Sequence, residues 1–257
     1  MVLLHGYFHG CATWFQSVAE LSKHYRVLSI DAPGMGLSDR PAFPLSPEAS
    51  SAFFVDGIEK WRKAMKIEKA IWVGHSMGGY YLARYAMARP EHVEALLLVS
   101  PAGGPEEPES APEVPLAFQC VRFLWGCRVT PAKFVRALGP LGMSPIRWFF
   151  GLRNWFAKEP ATAAELNELL TRYLYHHNAS YPVCGEDAIT TILRPGAWAV
   201  EPILPLVKAG KLQVPTGWLY GQWDWMDKRA GREAAESLTA LGYPSEMWTI
   251  PGSGHQA

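Results

Sequence analysis

The sequence predicts an α/β fold with a mostly parallel sheet, helices on both faces and a helical insertion. Apolar strand-like runs alternate with helical patterns over residues 1–99, and the alternation resumes near Pro215. A Gly-x-Ser-x-Gly motif, residues 74–78, lies between one such run and the helical pattern that follows it. From Pro115 to Arg194 no convincing strand is present, which indicates a helical segment inserted between two parts of the sheet.

Each predicted element rests on its own pattern. Ser46-Pro47-Glu48 is typical of a helix start, and Thr13 is a second candidate N-cap. The predicted strands are 1–4, 26–30, 70–73, 93–99, 216–220 and 246–250. The predicted helices are 13–24, 46–66, 77–89, 116–126, 131–138, 144–157, 162–177 and 228–241. Residues expected on buried helix faces are Trp14, Val18, Leu21, Phe54, Ile58, Trp61, Met65, Ala230, Ala234, Leu238 and Leu241.

We therefore expect three segments. Residues 1–103 form the first part of the core, 104–195 a helical lid, and 196–257 the second part of the core. A sheet of this kind does not normally open with its first strand at residue 1, and the chain stops two residues after His255. We therefore expect that the N- and C-terminal ends of the protein are missing from this sequence.

Composition narrows the function classes. The 257 residues are 49% hydrophobic with zero formal net charge, which disfavours a nucleic-acid partner held by charge. No apolar run is long enough for a transmembrane segment. No cofactor or metal is expected, because there is no His-Glu-x-x-His motif and the cysteines lack metal-ligand spacing. The cysteines, read as reduced intracellular thiols, are Cys11, Cys120, Cys127 and Cys184.

The strongest candidate for chemistry is Ser76. Its flanking glycines and its strand–turn–helix context predict a nucleophile elbow, which exposes the serine hydroxyl above the sheet. A glycine-rich turn with a surface serine is the alternative. In an elbow, the backbone N–H of Met77 points at the substrate carbonyl. The loop after the first strand offers the second oxyanion donor, with Tyr7 as first choice and Phe8 as second.

The remaining catalytic candidates follow Ser76 in chain order. Asp224 and His255 each stand just past a predicted strand, so all three side chains can meet at one sheet edge. His255 would be the general base and Asp224 would orient it. Asp227, three residues on, is the alternative acid. The spacing after the strand favours Asp224.

Other polar residues receive structural interpretations. The stretch from Asp31 to Ser38 lacks the third glycine of a dinucleotide fingerprint, because position 39 is aspartate. Asp31 and Ser38 are expected to hold that loop. His75 is expected to shape the elbow. The histidines expected in loops or on helix surfaces are His24, His92, His176 and His177.

Several segments together resemble a known family. They include the Val-Leu-Leu-His-Gly run, Asp31–Ser38, Gly74–Gly79, Tyr175–Ala179, Gly196-Ala197-Trp198 and Tyr220–Asp227. The chain is similar to the phospholipid-acting α/β-hydrolase family, which includes lysophosphatidic acid acyltransferases, N-acyl-phosphatidylethanolamine lipases, cardiolipin deacylases and a lipase co-activator. The resemblance covers nearly the whole chain and implies the α/β-hydrolase fold. It also implies a glycerophospholipid or acyl-CoA substrate at a membrane or droplet surface.

The resemblance leaves three functions open. Acyl-ester cleavage through an acyl-serine intermediate is the first, favoured because the co-activator branch lacks the serine and this chain retains Ser76. Transfer of the acyl group to a lysophospholipid is the second, although no histidine here has the aspartate five residues later that acyltransferase members carry. The third is a non-catalytic adaptor of a lipase. In the family the position of Asp227 is sometimes the retained acid.

Location follows from the same resemblance. An intracellular protein, cytosolic or peripheral to a membrane or lipid droplet, is expected, with mitochondrial targeting open if an N-terminal segment is missing. Residues 146–156 are rich in aromatic side chains, which indicates either a core helix or a lipid-facing one. On the lipid-facing hypothesis, replacing Trp148, Phe149 and Trp155 with serine should weaken liposome binding.

Overall fold

The computed structural model of the chain describes residues 1–108, 116–151 and 160–256. Its main sheet has six strands in the order β2-β1-β3-β4-β7-β8, and every neighbouring pair is parallel. The strands are Val2–Leu4 (β1), Leu28–Ile30 (β2), Ala70–His75 (β3), Val93–Val99 (β4), Thr216–Gly221 (β7) and Ser245–Ile250 (β8). The parallel sheet predicted from the alternating pattern is confirmed.

Helices cover both faces of this sheet. They are Phe15–Leu21 (α1), Pro47–Ala64 (α2), Met77–Ala88 (α3), Ile203–Lys208 (α9) and Lys228–Ala240 (α10), with short 3-10 turns at Cys11–Trp14 and Pro90–His92. Successive strand residues point to opposite faces. Leu4 therefore joins the large core cluster with α2, α3, α9 and α10, while Leu3 joins a smaller cluster against α1.

Helix α2 begins as the sequence predicts, whereas α1 does not. The Ser46 side chain accepts a hydrogen bond from the backbone N–H of Ala49, which caps α2. Thr13 caps nothing, because its hydroxyl donates to the carbonyl of Gly10 inside the 3-10 turn that precedes α1. The expected burial of Met65 and Leu241 is also wrong. Both follow the last helical residue and are exposed.

The segment between β4 and β7 is mainly helical. Its helices are Leu116–Gly126 (α4), Pro131–Ala137 (α5), Met143–Gly151 (α6), Pro160–Ala179 (α7) and Ile189–Ile192 (α8), with 3-10 turns at Gly139–Gly142 and Gly185–Ala188. A two-stranded antiparallel hairpin, Leu193–Arg194 (β5) with Trp198–Ala199 (β6), follows α8. The sequence pattern did not predict this hairpin, because two-residue strands leave no apolar alternation.

The helical segment has its own small apolar cluster and an ionic attachment to the sheet domain. Side chains of α5, α6 and α7 form the cluster around Val135 and Ile146. Arg40, from the loop after β2, and Arg136, from α5, both contact the carboxylate of Glu186. All three side chains are buried, so this ion cluster fixes the helices against the loop after β2.

The aromatic stretch of residues 146–156 is only partly within the described residues. In α6, Ile146 is buried and Trp148 is exposed, so this part of the helix has one inward and one outward side. The side chains of Phe149 and Phe150, and residues 152–159, lie outside the described parts. No helix in the described ranges combines the length and the apolar character that a bilayer span requires.

Candidate active site

Ser76 stands in the turn between β3 and α3. Its backbone has φ 53° and ψ −118°, a conformation that is rare for any residue other than glycine. The turn is tight on both sides. A Cβ on Gly74 would lie 2.6 Å from the carbonyl oxygen of Gly78, so a side chain cannot be accommodated there. The small residues of the motif are therefore required by the close approach of strand and helix.

The structure brings Ser76, His255 and Asp224 into one hydrogen-bonded row. The Nε2 atom of His255 lies 3.0 Å from the Ser76 Oγ, and its Nδ1 lies 2.9 Å from the Asp224 Oδ1. A carboxylate accepts only, so Nδ1 carries the proton and Nε2 is free to accept from the serine. This is the arrangement in which an imidazole can act as a general base toward a hydroxyl.

Asp227 occupies a different place. Its carboxylate accepts hydrogen bonds from the backbone N–H and the guanidinium of Arg229, and it caps the start of α10. Both carboxylate oxygens are thereby engaged away from the imidazole. The geometry consequently favours Asp224 as the partner of His255.

The Asp224 side chain is fully buried but remains the anion. Burial raises the pKa of its carboxyl, whereas the hydrogen bonds from His255 and from the N–H of Met226, together with the nearby Ser100 hydroxyl, lower it below its usual value. Among the described residues, neither Ser100 Oγ nor Asp224 Oδ2 has a close hydrogen-bond partner, and both atoms are buried. The Ser100 hydroxyl therefore lies near this carboxylate without a hydrogen bond to it in this structure.

Two further histidine rings lie near His255, because His75 packs against His255 and His9 packs against His75. The Nε2 of His75 lies 2.8 Å from the backbone carbonyl of His255, and since a carbonyl only accepts, Nε2 carries the proton. Burial and the neighbouring imidazoles lower the pKa of His75 to about 3, and burial lowers that of His9 to about 4. Both rings are therefore neutral near pH 7, and His75 holds the loop that bears His255.

The loop that carries Tyr7 lies directly against Ser76. A Cβ on Gly6 would be 3.0 Å from the Ser76 Cβ, so the second residue after β1 must be small for this approach. Tyr7 and Met77, whose amides are the expected oxyanion donors, both line the cavity onto which Ser76 opens, as does Phe8. The two candidate donors therefore lie on either side of the serine, Tyr7 in the loop after β1 and Met77 at the start of α3.

The cavity above Ser76 has a volume of about 550 Å³ and is predominantly apolar. Its floor is Ser76, Met77 and His255. Its walls come largely from the helical segment and include Trp125, Phe134, Val135, Ile146, Leu174 and Leu193. A space of this size and character suits a hydrocarbon chain with an ester at the serine end.

Asp31 links the loop after β2 to helix α7. Its carboxylate accepts from the backbone N–H groups of Cys11 and Leu37, and the Nε2 of His177 lies 3.5 Å away. Burial alone would raise the pKa of Asp31, but these contacts hold it well below the usual range. Ser38 donates to the Asp31 carbonyl, in line with the structural role expected for both residues.

The expectation that His177 lies on a surface is wrong. Its ring is buried between α7 and the Asp31 loop, because the helix turns this face inward. The next residue is also buried. Asn178 Nδ2 donates to the carbonyl of Phe8 at 2.8 Å, and the hydroxyl of Tyr173 accepts from the N–H of Ala12 at 3.0 Å. Helix α7 therefore holds the loop that carries Tyr7.

Sequence reasoning missed Ser100, Arg194 and the positioning role of Asn178. Ser100 directly follows β4, so the rule that parallel strands end at one edge could have found it. Arg194 lines the cavity from the hairpin that the pattern did not predict. Within the described ranges, no cluster of three or more His, Cys, Asp or Glu residues is arranged to hold a metal ion.

Comparison with known proteins gives consistent relatives. The family model for the alpha/beta hydrolase fold matches residues 1–257. A probable 1-acylglycerol-3-phosphate O-acyltransferase of Oryza sativa subsp. japonica is 36% identical over 99% of this chain, which spans 62% of that protein. A (lyso)-N-acylphosphatidylethanolamine lipase of Homo sapiens is 33% identical over 91% of this chain and 67% of its own length.

A solved structure supports the same fold. The 2-hydroxy-6-oxo-6-phenylhexa-2,4-dienoate hydrolase from Rhodococcus sp. strain RHA1 superposes with a TM-score of 0.69 over the whole chain and 83% of its own. At 19% identity this likeness concerns the fold alone. The predicted fold class is confirmed, as is the similarity to phospholipid-acting members. The chain belongs to the alpha/beta hydrolase fold family.

Proposed function

We propose that this protein is a serine hydrolase that cleaves acyl esters of glycerophospholipids or related lipids through an acyl-Ser76 intermediate. The hydrolase fold and the lipase-like relatives support the general class. One observation carries the specific proposal. The Ser76 Oγ lies 3.0 Å from the imidazole of His255, and the serine opens onto an apolar cavity of about 550 Å³.

The first half-reaction acylates the enzyme. The Nε2 of His255 takes the Ser76 proton as Oγ bonds to the ester carbonyl carbon, and the carbonyl oxygen becomes an oxyanion. The backbone N–H groups of Met77 and Tyr7 donate to that oxyanion, each contributing about 3–4 kcal/mol to the barrier reduction. The C–O bond to the alcohol then breaks, and His255 protonates the departing oxygen.

The second half-reaction releases the fatty acid. His255 takes a proton from water as the water oxygen bonds to the acyl carbon, and the bond to Ser76 Oγ then breaks. The proton returns to Ser76, and the carboxylic acid leaves. Asp224 keeps the proton of His255 on Nδ1 throughout and stabilises the imidazolium of each step, as its 2.9 Å contact allows.

Residues 104–195 act as a lid over this site in our proposal. Their helices supply about half of the apolar residues of the cavity wall, and Trp148 is exposed on the outer side of α6. An exposed tryptophan beside an acyl-sized cavity suits a protein that works at a membrane or droplet surface. Such peripheral binding agrees with the lipid substrates named for the relatives.

Fluorophosphonate labelling tests the proposal directly, because the probe reacts only with an activated serine. We expect the wild type to be labelled and Ser76→Ala not. Ser237→Ala is the matched control, since that hydroxyl only donates to a helix carbonyl of α10. A folded wild type that is not labelled, or a Ser76→Ala variant that still is, would contradict the proposal.

Acyl transfer is the second candidate function. The name of the rice relative favours it, since that protein is described as an O-acyltransferase. The same acyl-Ser76 intermediate would be attacked by a lysophospholipid hydroxyl instead of water. Incubation with a radiolabelled acyl donor and a lysophospholipid separates the two, because hydrolysis yields labelled fatty acid and transfer yields labelled diacyl lipid.

A further inference from the structure

Two arginines share one carboxylate at the entrance of the cavity. The Nη1 of Arg194 lies 2.6 Å from one oxygen of Glu107, and the Nη2 of Arg122 lies 3.6 Å from the other. The arginine side chains are about half exposed, at 56% and 47%, whereas Glu107 is 20% exposed. The carboxylate therefore sits between two guanidinium groups that face solvent.

Counted over its three side chains alone, this cluster has a net charge of +1, and Arg194 connects it to the lining of the cavity. Arg194 is the one Lys or Arg residue among the described residues that line the cavity. Apart from the His255–Asp224 pair, the histidines beside the serine, His9 and His75, are neutral near pH 7 because burial lowers their pKa. An anionic group on a bound molecule would consequently be drawn to the Arg194 end of the cavity.

The backbone fixes the two arginines relative to the cavity. Arg194 is in strand β5, next to Leu193, which lines the cavity wall. The indole N–H of Trp125 in α4 donates to the carbonyl of Leu193 at 2.9 Å. Because Arg122 lies one helical turn before Trp125, this bond ties the helix that carries Arg122 to the strand that carries Arg194.

We propose that Arg194 and Arg122 form a binding site for the phosphate group of the substrate lipid. In this arrangement the acyl chain fills the cavity, the ester reaches Ser76, and the phosphate oxygens replace the Glu107 carboxylate between the two guanidinium groups. Guanidinium groups bind phosphate and carboxylate oxygens with the same fork geometry, so Glu107 is the internal occupant of the site.

Displacement of Glu107 is inexpensive. Both arginines that hold it are about half exposed, and ion pairs of solvent-facing side chains contribute little to stability. A phosphate also brings more charge and more acceptor oxygens than a carboxylate. The Glu107 carboxylate therefore competes with a bound phosphate for the two guanidinium groups, and a neutral ester does not enter that competition. The proposal rests on the lipid-ester function above, which names the ester that would sit at Ser76.

The test compares binding of dodecyl phosphate with binding of dodecanol to the Ser76→Ala protein by calorimetry. We expect tighter binding of the phosphate, about tenfold weaker phosphate binding in Arg194→Gln, and unchanged dodecanol binding in that variant. Glu107→Gln should bind dodecyl phosphate several-fold more tightly, since the competing carboxylate is gone. Arg172→Gln is the control, because that arginine pairs with Glu168 on the exposed side of α7.

Each outcome decides the proposal. Equal binding of both ligands, or an Arg194→Gln variant with unchanged phosphate binding, would overturn it. Inorganic phosphate that binds as tightly as dodecyl phosphate would show a free-anion site and overturn the lipid assignment. The calorimetry measures binding without turnover, so it tests this site independently of the hydrolase proposal. If the protein binds dodecyl phosphate more tightly than dodecanol but cleaves no ester, the phosphate site stands and the hydrolase proposal is refuted.

Discussion

Replacement of Asp224 by asparagine should remove most of the esterase activity. The carboxylate lies 2.9 Å from His255 Nδ1 and its side chain is fully buried, so water does not screen the pair. When His255 takes the serine proton, a positive charge forms about 4 Å from the centre of the carboxylate charge. At an effective dielectric constant of about 20, the attraction is about 4 kcal/mol, which corresponds to about 10³-fold in rate.

A second effect adds to this loss. If the new amide donates its N–H to Nδ1, the imidazole proton moves to Nε2, which then cannot accept from Ser76. We therefore expect kcat on a soluble p-nitrophenyl ester to fall by about 10³ to 10⁴, with KM little changed. Thermal unfolding of the same variant checks that the loss does not come from a damaged fold.

The matched variant is Asp227→Asn. Asparagine caps a helix as well as aspartate does, so α10 should keep its stability, and the contact between Asp224 and His255 is untouched. We expect kcat within about threefold of the wild type. A loss below tenfold for Asp224→Asn, or an equal loss for both variants, would refute the assignment of Asp224 as the acid.

Four further predictions follow from single contacts. Ser100→Ala should lower kcat about fivefold without changing KM, since the nearby hydroxyl lowers the pKa of the Asp224 carboxyl and so favours its anion; an unchanged kcat would remove that role. The free energy of unfolding should fall as pH drops from about 6.5 toward 3, because His75 binds a proton in the unfolded chain but not when its ring is buried in the fold. In urea titrations the stability of His75→Gln should depend less on pH than that of the wild type, and an equal dependence would contradict this. Glu186→Gln should destabilise the fold by about 3–5 kcal/mol, because it leaves two buried guanidinium groups without their carboxylate, and a urea midpoint close to the wild type's would argue against this. Trp148→Ser should weaken liposome sedimentation, whereas Leu45→Ser, exposed before α2, should not; equal effects would rule out a specific lipid contact at α6.

Local signals in the sequence were sufficient for the elbow and for the sheet. The Gly-x-Ser-x-Gly turn is encoded within five residues, and β4 carries a continuous apolar run over residues 95–99, whose burial is strongly favoured. Ser46 with Pro47 marks a helix start by chemistry that needs no distant partner. These features were predictable because their causes are adjacent in the chain.

Features that depend on distant contacts were not predictable. The burial of His177 depends on Asp31, which is far away in sequence and meets it only through the packing of α7. Arg194 reaches the cavity from a two-residue strand whose formation depends on its pairing with β6. Thr13 has the right chemistry for an N-cap, yet its hydroxyl donates to the carbonyl of Gly10 in a 3-10 turn and does not cap α1. In each case tertiary packing overrides the local preference.

Helix α7 couples the helical segment to the Tyr7 loop, so the two parts of the chain have to match each other. Asn178 and Tyr173 reach out of the insertion and hydrogen-bond the backbone at Phe8 and Ala12, about 160 to 170 residues earlier in the chain. A chimera that exchanged the insertion alone would therefore sever the bonds that fix the loop beside Ser76. Laboratory recombination of such enzymes should transfer residues 5–13 together with α7, so that the exchanged helical segment keeps the loop to which it is hydrogen-bonded.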